Sequence, residues 1–151
     1  MEFSRESLAK NWFFEGFERA EMDALLALGR EALFSAGEKV VVEGEPAESF
    51  HILVKGAVSI KMRVEEHGEL VLSTLRRTGE IFGWSALVQA GHSTATAECL
   101  GETRVLSFKK KELENLFSKN PGLGYRFMKR LAILVSRRLE STRALLVKQI
   151  S

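Results

Sequence analysis

The stretch SFHILVKGAVSIKMRV, residues 49–64, sets Phe, Ile, Leu and Val in alternation with polar residues on both sides of one glycine, Gly56. A period of two is the signature of a half-buried strand, and a glycine between two such runs reads as a turn. The same period continues outward. LFSAGEKVVVEGEP (33–46) lies upstream and ELVLSTLRR (69–77) downstream, with Gly37, Gly44, Gly56 and Gly79 breaking the pattern at similar intervals. His67-Gly68 sits between two alternating runs with acids on either side, and glycine supplies the positive φ that a hairpin turn needs, so a hairpin is expected there. Five or more short strands at regular spacing predict an antiparallel sandwich or barrel.

Helical periodicity frames this β region. Glu18 to Leu33 places Met22, Leu25, Leu26 and Leu28 among Glu and Arg, an approximate helical stripe that Gly29 weakens near its end. After a last strand at ETRVLSF (102–108), KKKELENLFSKN (109–120) reads as a short helix with Leu113, Leu116 and Phe117 on one side. Asn120-Pro121 stops it and starts another, because proline is tolerated in a helix's first turn. The final helix is expected to run to about Ile150, with Leu131, Val135, Leu139, Thr142, Leu146 and Ile150 stepping by three or four along one face. That face is longer than a small barrel covers, so a homodimer formed through it is expected; the alternative is a helix folded back on its own barrel. The domain reading is an N-terminal helix and antiparallel β region over 1–120 and a dimerisation helix over 121–151, together one structural unit.

Composition bounds the function. The chain has 151 residues, 45% hydrophobic and 28% charged, with a net charge of +2. This is ordinary for a globular domain large enough to bury a core, and it gives no electrostatic case for nucleic acid over the whole molecule. Basic residues do gather late: Arg126, Lys129, Arg130, Arg137, Arg138, Arg143 and Lys148 stand against one acid, Glu140. No apolar run approaches a membrane span and the charged N-terminus does not fit a signal peptide, so a cytoplasmic location is expected. Cys99 is the sole cysteine, which rules out a disulfide framework and a CxxC motif.

Between strands of this kind lies GEIFGWSALVQAGHSTATAECL, residues 79–100, with no charged residue between Trp84 and Ala97. A glycine turn feeding a helix start points backbone N–H groups outward, where they can hold an anion. Taken in order, Phe34-x-x-Gly37, Glu43-Gly44, Phe50-x-Ile52, Gly56-x-Val58-x-Ile60, Gly79-Glu80-x-Phe82-Gly83, Ala86-Leu87 and Ala95-Thr96 resemble the cyclic nucleotide-binding domain family in its catabolite-activator-like form. The resemblance covers roughly Leu33 to Thr142. It implies a mainly β fold with flanking helices, an antiparallel, jelly-roll-like β-roll followed by a long C-terminal helix. It also implies a phosphate-binding cassette at Gly83, Trp84, Ser85, Ala86, Leu87, His92, Ser93, Thr94 and Ala95, and a base-capping role for Thr142, which matches the family's helix in type and position. Thr142 also lies on the expected packing face, where a threonine is ordinary.

Two positions depart from the family's pattern. The family has Phe-Gly-Glu, with the Glu on the ribose hydroxyl, and Trp84 stands in that place; the family's phosphate-clamping Arg is replaced by Ser93. A hydrogen bond to a charged group is worth roughly 1.5–3 kcal/mol, so two losses remove about 3–6 kcal/mol, on the order of two to four decades of affinity. Tight cAMP binding by the usual route is not expected. The expected effector is a cyclic nucleotide held differently or another small anion, with His92 as a weaker cationic partner when protonated. The expected role is a regulatory ligand-sensing module signalling through a dimeric C-terminal helix, with an assembly domain that binds no nucleotide, or the effector part of a transcription regulator whose DNA-binding module is absent, as the alternatives.

Other classes fit less well. Relatives of this architecture often carry a helix-turn-helix after the long helix; the sequence ends at Ser151, where that module would begin, which argues against direct DNA binding by this chain. A cupin-type metal enzyme needs converging histidines and a carboxylate, and His51, His67 and His92 form no His-x-His pair. No GxSxG or similar nucleophile motif is present. Neither catalytic residues nor metal ligands are therefore expected, and for a haem site only Cys99, His51 and His92 offer ligands.

Overall fold

In the computed structural model the described residues are 5–88 and 91–150, with Arg5 described by its backbone alone. Gln89 and Ala90, inside the 79–100 stretch, lie outside them, as do residues 1–4 and Ser151. Among the described residues the order is α1 (Arg5–Ala9), a 3-10 turn (Trp12–Phe14), α2 (Arg19–Leu28), β1 (Arg30–Phe34), β2 (Lys39–Val41), β3 (Ser49–Lys55), β4 (Val58–Val64), β5 (Gly68–Leu75), β6 (Ile81–Phe82), a 3-10 turn (Trp84–Ala86), β7 (Thr96–Cys99), β8 (Thr103–Lys109), α3 (Lys110–Lys119) and α4 (Pro121–Ile150). The chain divides into two compact units, Leu25–Asn115 and Met1–Ala24 with Leu116–Ser151. Among the described residues no helix is long and apolar enough to cross a membrane.

The β unit consists of two antiparallel four-stranded sheets, in the orders β1-β8-β3-β6 and β2-β7-β4-β5. Leu53, Val58, Leu75, Phe82, Ala97, Cys99 and Val105 form one buried cluster drawn from both. The strand β3 is buried from Phe50 to Val54, so both of its faces are covered, which explains why FHILV reads as a continuous apolar run with one histidine in it. In β4 the alternation is clean enough that Lys61 faces outward, where it meets Glu98 of β7 at 2.9 Å and Glu69 of β5 at 3.1 Å. The hairpin expected at His67-Gly68 forms one step earlier. Val64 pairs with Gly68, the His67 N–H donates to Val64 O at 3.0 Å, and Glu66 takes φ 67°.

The first helix of the β region is shorter than the periodicity predicts. The stripe read over Glu18–Leu33 is helical only over Arg19–Leu28, and Arg30–Phe34 pairs with β8 instead, Arg30 opposite Ser107 and Phe34 opposite Thr103. The reason lies at Gly29. A Cβ built there would stand 2.8 Å from Cδ1 of the buried Leu106 side chain, so glycine leaves room for Leu106 at the end of the helix, and the ladder with β8 overrides a local sequence compatible with helix.

The helical unit is organised by α4. Pro121 is its first residue and Asn120 Oδ1 accepts the N–H of Leu123 at 3.3 Å, a side-chain cap that replaces a missing intrahelical partner. Leu123, Phe127, Leu131 and Leu134 are buried along one stripe, and Phe127 meets Phe13 and Phe117 with ring centroids 5.1 and 4.9 Å apart. Glu21, 4% exposed, receives Arg126 Nη1 at 2.6 Å. The guanidinium of Arg130 donates to the carbonyls of Trp12 and Glu15, and that of Arg137 lies 4.1 Å from the Trp12 ring centroid. This corrects the expected packing face of α4. Leu131 is 1% exposed within the chain itself, because it continues the stripe from Phe127, and Val135 is half-buried. Only Leu139, Thr142, Leu146 and Ile150 of that face are exposed.

Candidate functional site

The outgoing limb of the cassette is built by hydrogen bonds around one acid. Glu80 accepts the N–H groups of Arg76 and Arg77 at 2.8 and 3.0 Å, and its own carbonyl accepts Leu53 N–H at 2.8 Å while Gly79 N–H donates to Leu53 O at 2.7 Å. This fixes Ile81 and Phe82 against β3 in the pairs Ile52–Ile81 and His51–Phe82. The chain then turns at Gly83, with φ 76° and ψ 27°, into Trp84–Ala86. Two constraints require glycine: the left-handed conformation, and a Cβ position 2.8 Å from His51 Cδ2 and 3.3 Å from Ser49 O. The expected helix start is a single 3-10 turn of three residues, Trp84 to Ala86. Within it the N–H groups of Ala86 and Leu87 donate to Gly83 O and Trp84 O at 3.5 and 2.8 Å, and a single turn lacks the summed dipole of a longer helix.

The returning limb is pinned to the turn before β3. Ala47 N–H donates to Gly91 O (3.2 Å), Ser93 N–H to Glu45 O (2.9 Å), Gly44 N–H to Ser93 O (2.8 Å) and Glu43 N–H to Thr96 Oγ1 (3.0 Å), and His92 bridges Pro46. Successive side chains consequently point to different places. The hydroxyl of Thr94 lies 3.5 Å from that of the buried Ser85, so these two close the cassette across its mouth. Ser93, itself buried, lines a cleft of about 280 Å³ together with Val41, Pro46, Ser49 and His51. Of the residues expected at the site, Trp84, Leu87 and Ala95 are half-buried, Ala86 is buried and His92 is exposed. Thr142 is exposed on α4, its hydroxyl donating to Arg138 O at 3.0 Å.

His51 enters the sequence reasoning only as one of the histidines weighed for a metal or haem site and not favoured there. The ladder explains its actual surroundings. It lies opposite both Phe82 and Ser107, so its ring stacks on Phe82 at 5.2 Å and 24°, and Nδ1 meets Ser107 Oγ at 2.7 Å. Burial in this apolar setting lowers its pKa from 6.5 to about 4, so the imidazole is neutral at physiological pH. A polar residue within the apolar run FHILV was the available signal. Cys99 is buried in the core cluster, where desolvation raises its thiol pKa. Among the described residues no group of three or more His, Cys, Asp or Glu is placed to hold a metal ion.

The geometry matches known proteins. The family model for the cyclic nucleotide-binding domain matches residues 31–120. A CRP-like cAMP-activated global transcriptional regulator of Mycobacterium tuberculosis is 28% identical over 137 residues, which are 91% of this chain and 59% of that protein. The chain thus spans somewhat more than half the length of that relative. Among solved structures, a cyclic nucleotide-binding domain from Methylobacillus flagellatus superposes with a TM-score of 0.83 at 21% identity, covering 95% of this chain and 80% of that one. The sensor domain of the transcriptional regulator DNR from Pseudomonas aeruginosa gives 0.72 at 24% identity, covering 93% and 95%. These likenesses share the β-roll with its long final helix, and the family match alone takes in more than half of the residues: the chain belongs to the cyclic nucleotide-binding domain family.

Proposed function

We propose that the chain is a regulatory effector-sensing module whose cassette has changed its ligand chemistry, and that it works as a homodimer through α4. The observation that carries the reading is the pairing of a retained backbone with an altered lining. Gly83 keeps its left-handed turn against His51, while Trp84, Ser85, Ala86, Leu87, Ser93, Thr94 and Ala95 contain neither a cation nor an acid. A cyclic phosphate in this setting meets the backbone of the Gly83 turn and the hydroxyls of Ser85 and Thr94, without a guanidinium. The effector is therefore a cyclic nucleotide bound weakly or another small anion, and the charges nearest Ser93 are those of Lys39, Glu45 and Glu48 in the wall of its cleft. The cAMP activation named for the mycobacterial relative is that protein's property; in this chain Ser93 stands where the family's pattern has its phosphate-clamping Arg. Dimerisation is supported by the exposed apolar residues of the second half of α4, Leu139, Leu146, Val147 and Ile150. The same face supports the second reading, an assembly domain that binds no nucleotide.

A thermal-shift panel on ligand-stripped protein with cAMP, cGMP, other nucleotides and small anions, followed by calorimetry, tests the first reading. A ligand at a hundred times its dissociation constant stabilises by about 2.7 kcal/mol. A hit other than cAMP, with cAMP binding gained by Trp84→Glu combined with Ser93→Arg, is the expected result. Tight cAMP binding by the unaltered chain would overturn the altered-ligand reading, and no hit in the panel would leave the assembly reading in its place.

A further inference from the structure

The helical unit contains a second concave site that the cassette does not use. Between the turn at residues 12–17 and α4 lies a groove of about 630 Å³, within the size range of ligand sites. On α4, Arg126, Arg130, Ile133 and Arg137 step by four, three and four and so share one face, with Tyr125 and Lys129 beside them. The charges of these cations are not equally compensated. Arg126 is paired with Glu21 at 2.6 Å. Arg130 donates to backbone carbonyls, which satisfy its N–H groups but leave its charge uncancelled. Arg137 lies over the Trp12 ring, and Lys129 Nζ lies 5.9 Å from the centroid of Tyr125. Among the described residues neither has a carboxylate within ion-pair distance. Three uncancelled cations therefore face one acid of the lining, Glu15.

The same groove is rich in exposed aromatic and aliphatic surface, Tyr125 being 67% and Ile133 37% exposed. Aromatic side chains combined with Arg are the composition enriched at protein interfaces. We propose that this groove is a docking site for an acidic peptide segment of a partner protein, one whose carboxylates meet Lys129, Arg130 and Arg137 while its apolar side chains cover Tyr125 and Ile133. The charge complementarity selects the acidic partner. Nucleic acid is the poorer match: a phosphate backbone offers nothing to cover Tyr125 and Ile133, meets Glu15 in the wall, and finds a net charge of only +2 on the whole chain.

The test is selection of a random-peptide phage library on the immobilised full chain, with parallel selection on Lys129→Glu and on Lys129→Glu combined with Ile133→Asp. Lys129 is exposed and its one ring contact is with Tyr125, so the single variant keeps the fold, which circular dichroism checks. The expected result is enrichment of peptides carrying Asp or Glu next to aromatic or aliphatic residues on the unaltered chain. Fluorescence anisotropy with the best labelled peptide should then give binding at least tenfold weaker for the double variant and declining with salt. Selected peptides without an acidic excess, or an affinity unchanged by the double variant, would overturn the proposal. So would labelled duplex DNA binding more tightly than the best peptide and losing affinity in the same variants.

Discussion

Replacing His51 by Gln should flatten the acid limb of the stability profile. In the folded chain the imidazole is enclosed by Phe82, Ser107 and the backbone of Gly83, and burial brings its pKa to about 4 against 6.5 for the free side chain. Each tenfold preference for the neutral form corresponds to about 1.4 kcal/mol, so protonating His51 is about 3 kcal/mol less favourable in the folded chain than in the unfolded one. The sign follows from where protons bind. Between pH 6.5 and 4 the unfolded chain takes up a proton at this residue and the folded chain does not, so the stabilisation is complete above pH 6.5 and is lost as the pH falls toward 4.

Urea unfolding followed by tryptophan fluorescence, at pH values from neutral to 4, measures this. Lys39, Glu45 and Glu48 line the same cleft and are common to both proteins, as are the exposed His67 and His92, so the quantity to compare is the difference between the two profiles. The unaltered protein should lose about 3 kcal/mol more than His51→Gln over this range. Gln retains a hydrogen-bonding group for Ser107 without titrating, which limits the change in absolute stability at neutral pH. Parallel profiles for the two proteins, or an NMR titration placing the His51 ring near 6.5, would refute the account of a desolvated imidazole.

Three further substitutions probe other parts of the argument. Gly83→Ala should destabilise by at least about 2 kcal/mol, because the left-handed conformation costs an ordinary residue about 1–2 kcal/mol and the new methyl meets a His51 ring held by Ser107; a thermal melt within a degree of the unaltered protein would contradict this. Glu66→Gly should raise stability by roughly 0.5–1 kcal/mol by removing strain at φ 67°, while Glu66→Ala changes little because it keeps the Cβ responsible; equal melting temperatures for the two variants would show that the turn is unstrained. Leu139→Glu with Leu146→Glu should give a monomer by sedimentation with its helix content kept, whereas Leu131→Glu should unfold the chain, since Leu131 is 1% exposed; a folded, monomeric Leu131→Glu protein would reinstate that residue on the dimer face.

The strands were legible because two physical signals coincided. Alternation in Val58–Val64 matches a strand with one face buried, and the apolar run Phe50–Val54 matches one buried on both. The start of α4 was equally clear, since Asn120-Pro121 supplies a cap and a first-turn proline together. Features decided by distant partners were not legible. Arg30–Phe34 carries no strong local preference, and its antiparallel pairing with the distant residues 103–107 makes it a strand. The N-terminal segment shows its charges first, although Trp12, Phe13, Phe14 and Phe17 lie within six positions and supply four of the six rings in the aromatic cluster with Phe117 and Phe127. At the cassette the residue types were read correctly as uncharged, but Ser93 and Thr94 could not be separated. Which of them meets Ser85 and which lines the His51 cleft depends on how the 43–47 turn pins Ser93's backbone.

The two halves of α4 differ in what holds them. Up to Arg137 the helix is tied to residues 12–17 by the Arg130 hydrogen bonds and the Arg137–Trp12 stack, and its inner stripe is buried. Separating the turn from it would leave a guanidinium without acceptors, at about 1.5–3 kcal/mol for each hydrogen bond to a charged group. From Leu139 to Ile150 every residue is exposed. An isolated helix of about this length is marginal in water, because most helical stability comes from packing an amphipathic face. The first half provides a nucleus, so the second half needs only propagation, yet it has no buried face of its own. A second copy of the chain meets that need directly. Amide hydrogen exchange at residues 142–150 should therefore slow as protein concentration rises, while exchange at 123–134 stays constant. Exchange at 142–150 that is slow at every concentration, in a protein shown by sedimentation to be monomeric, would mean that the second half is stable without a partner and that its apolar residues serve another purpose.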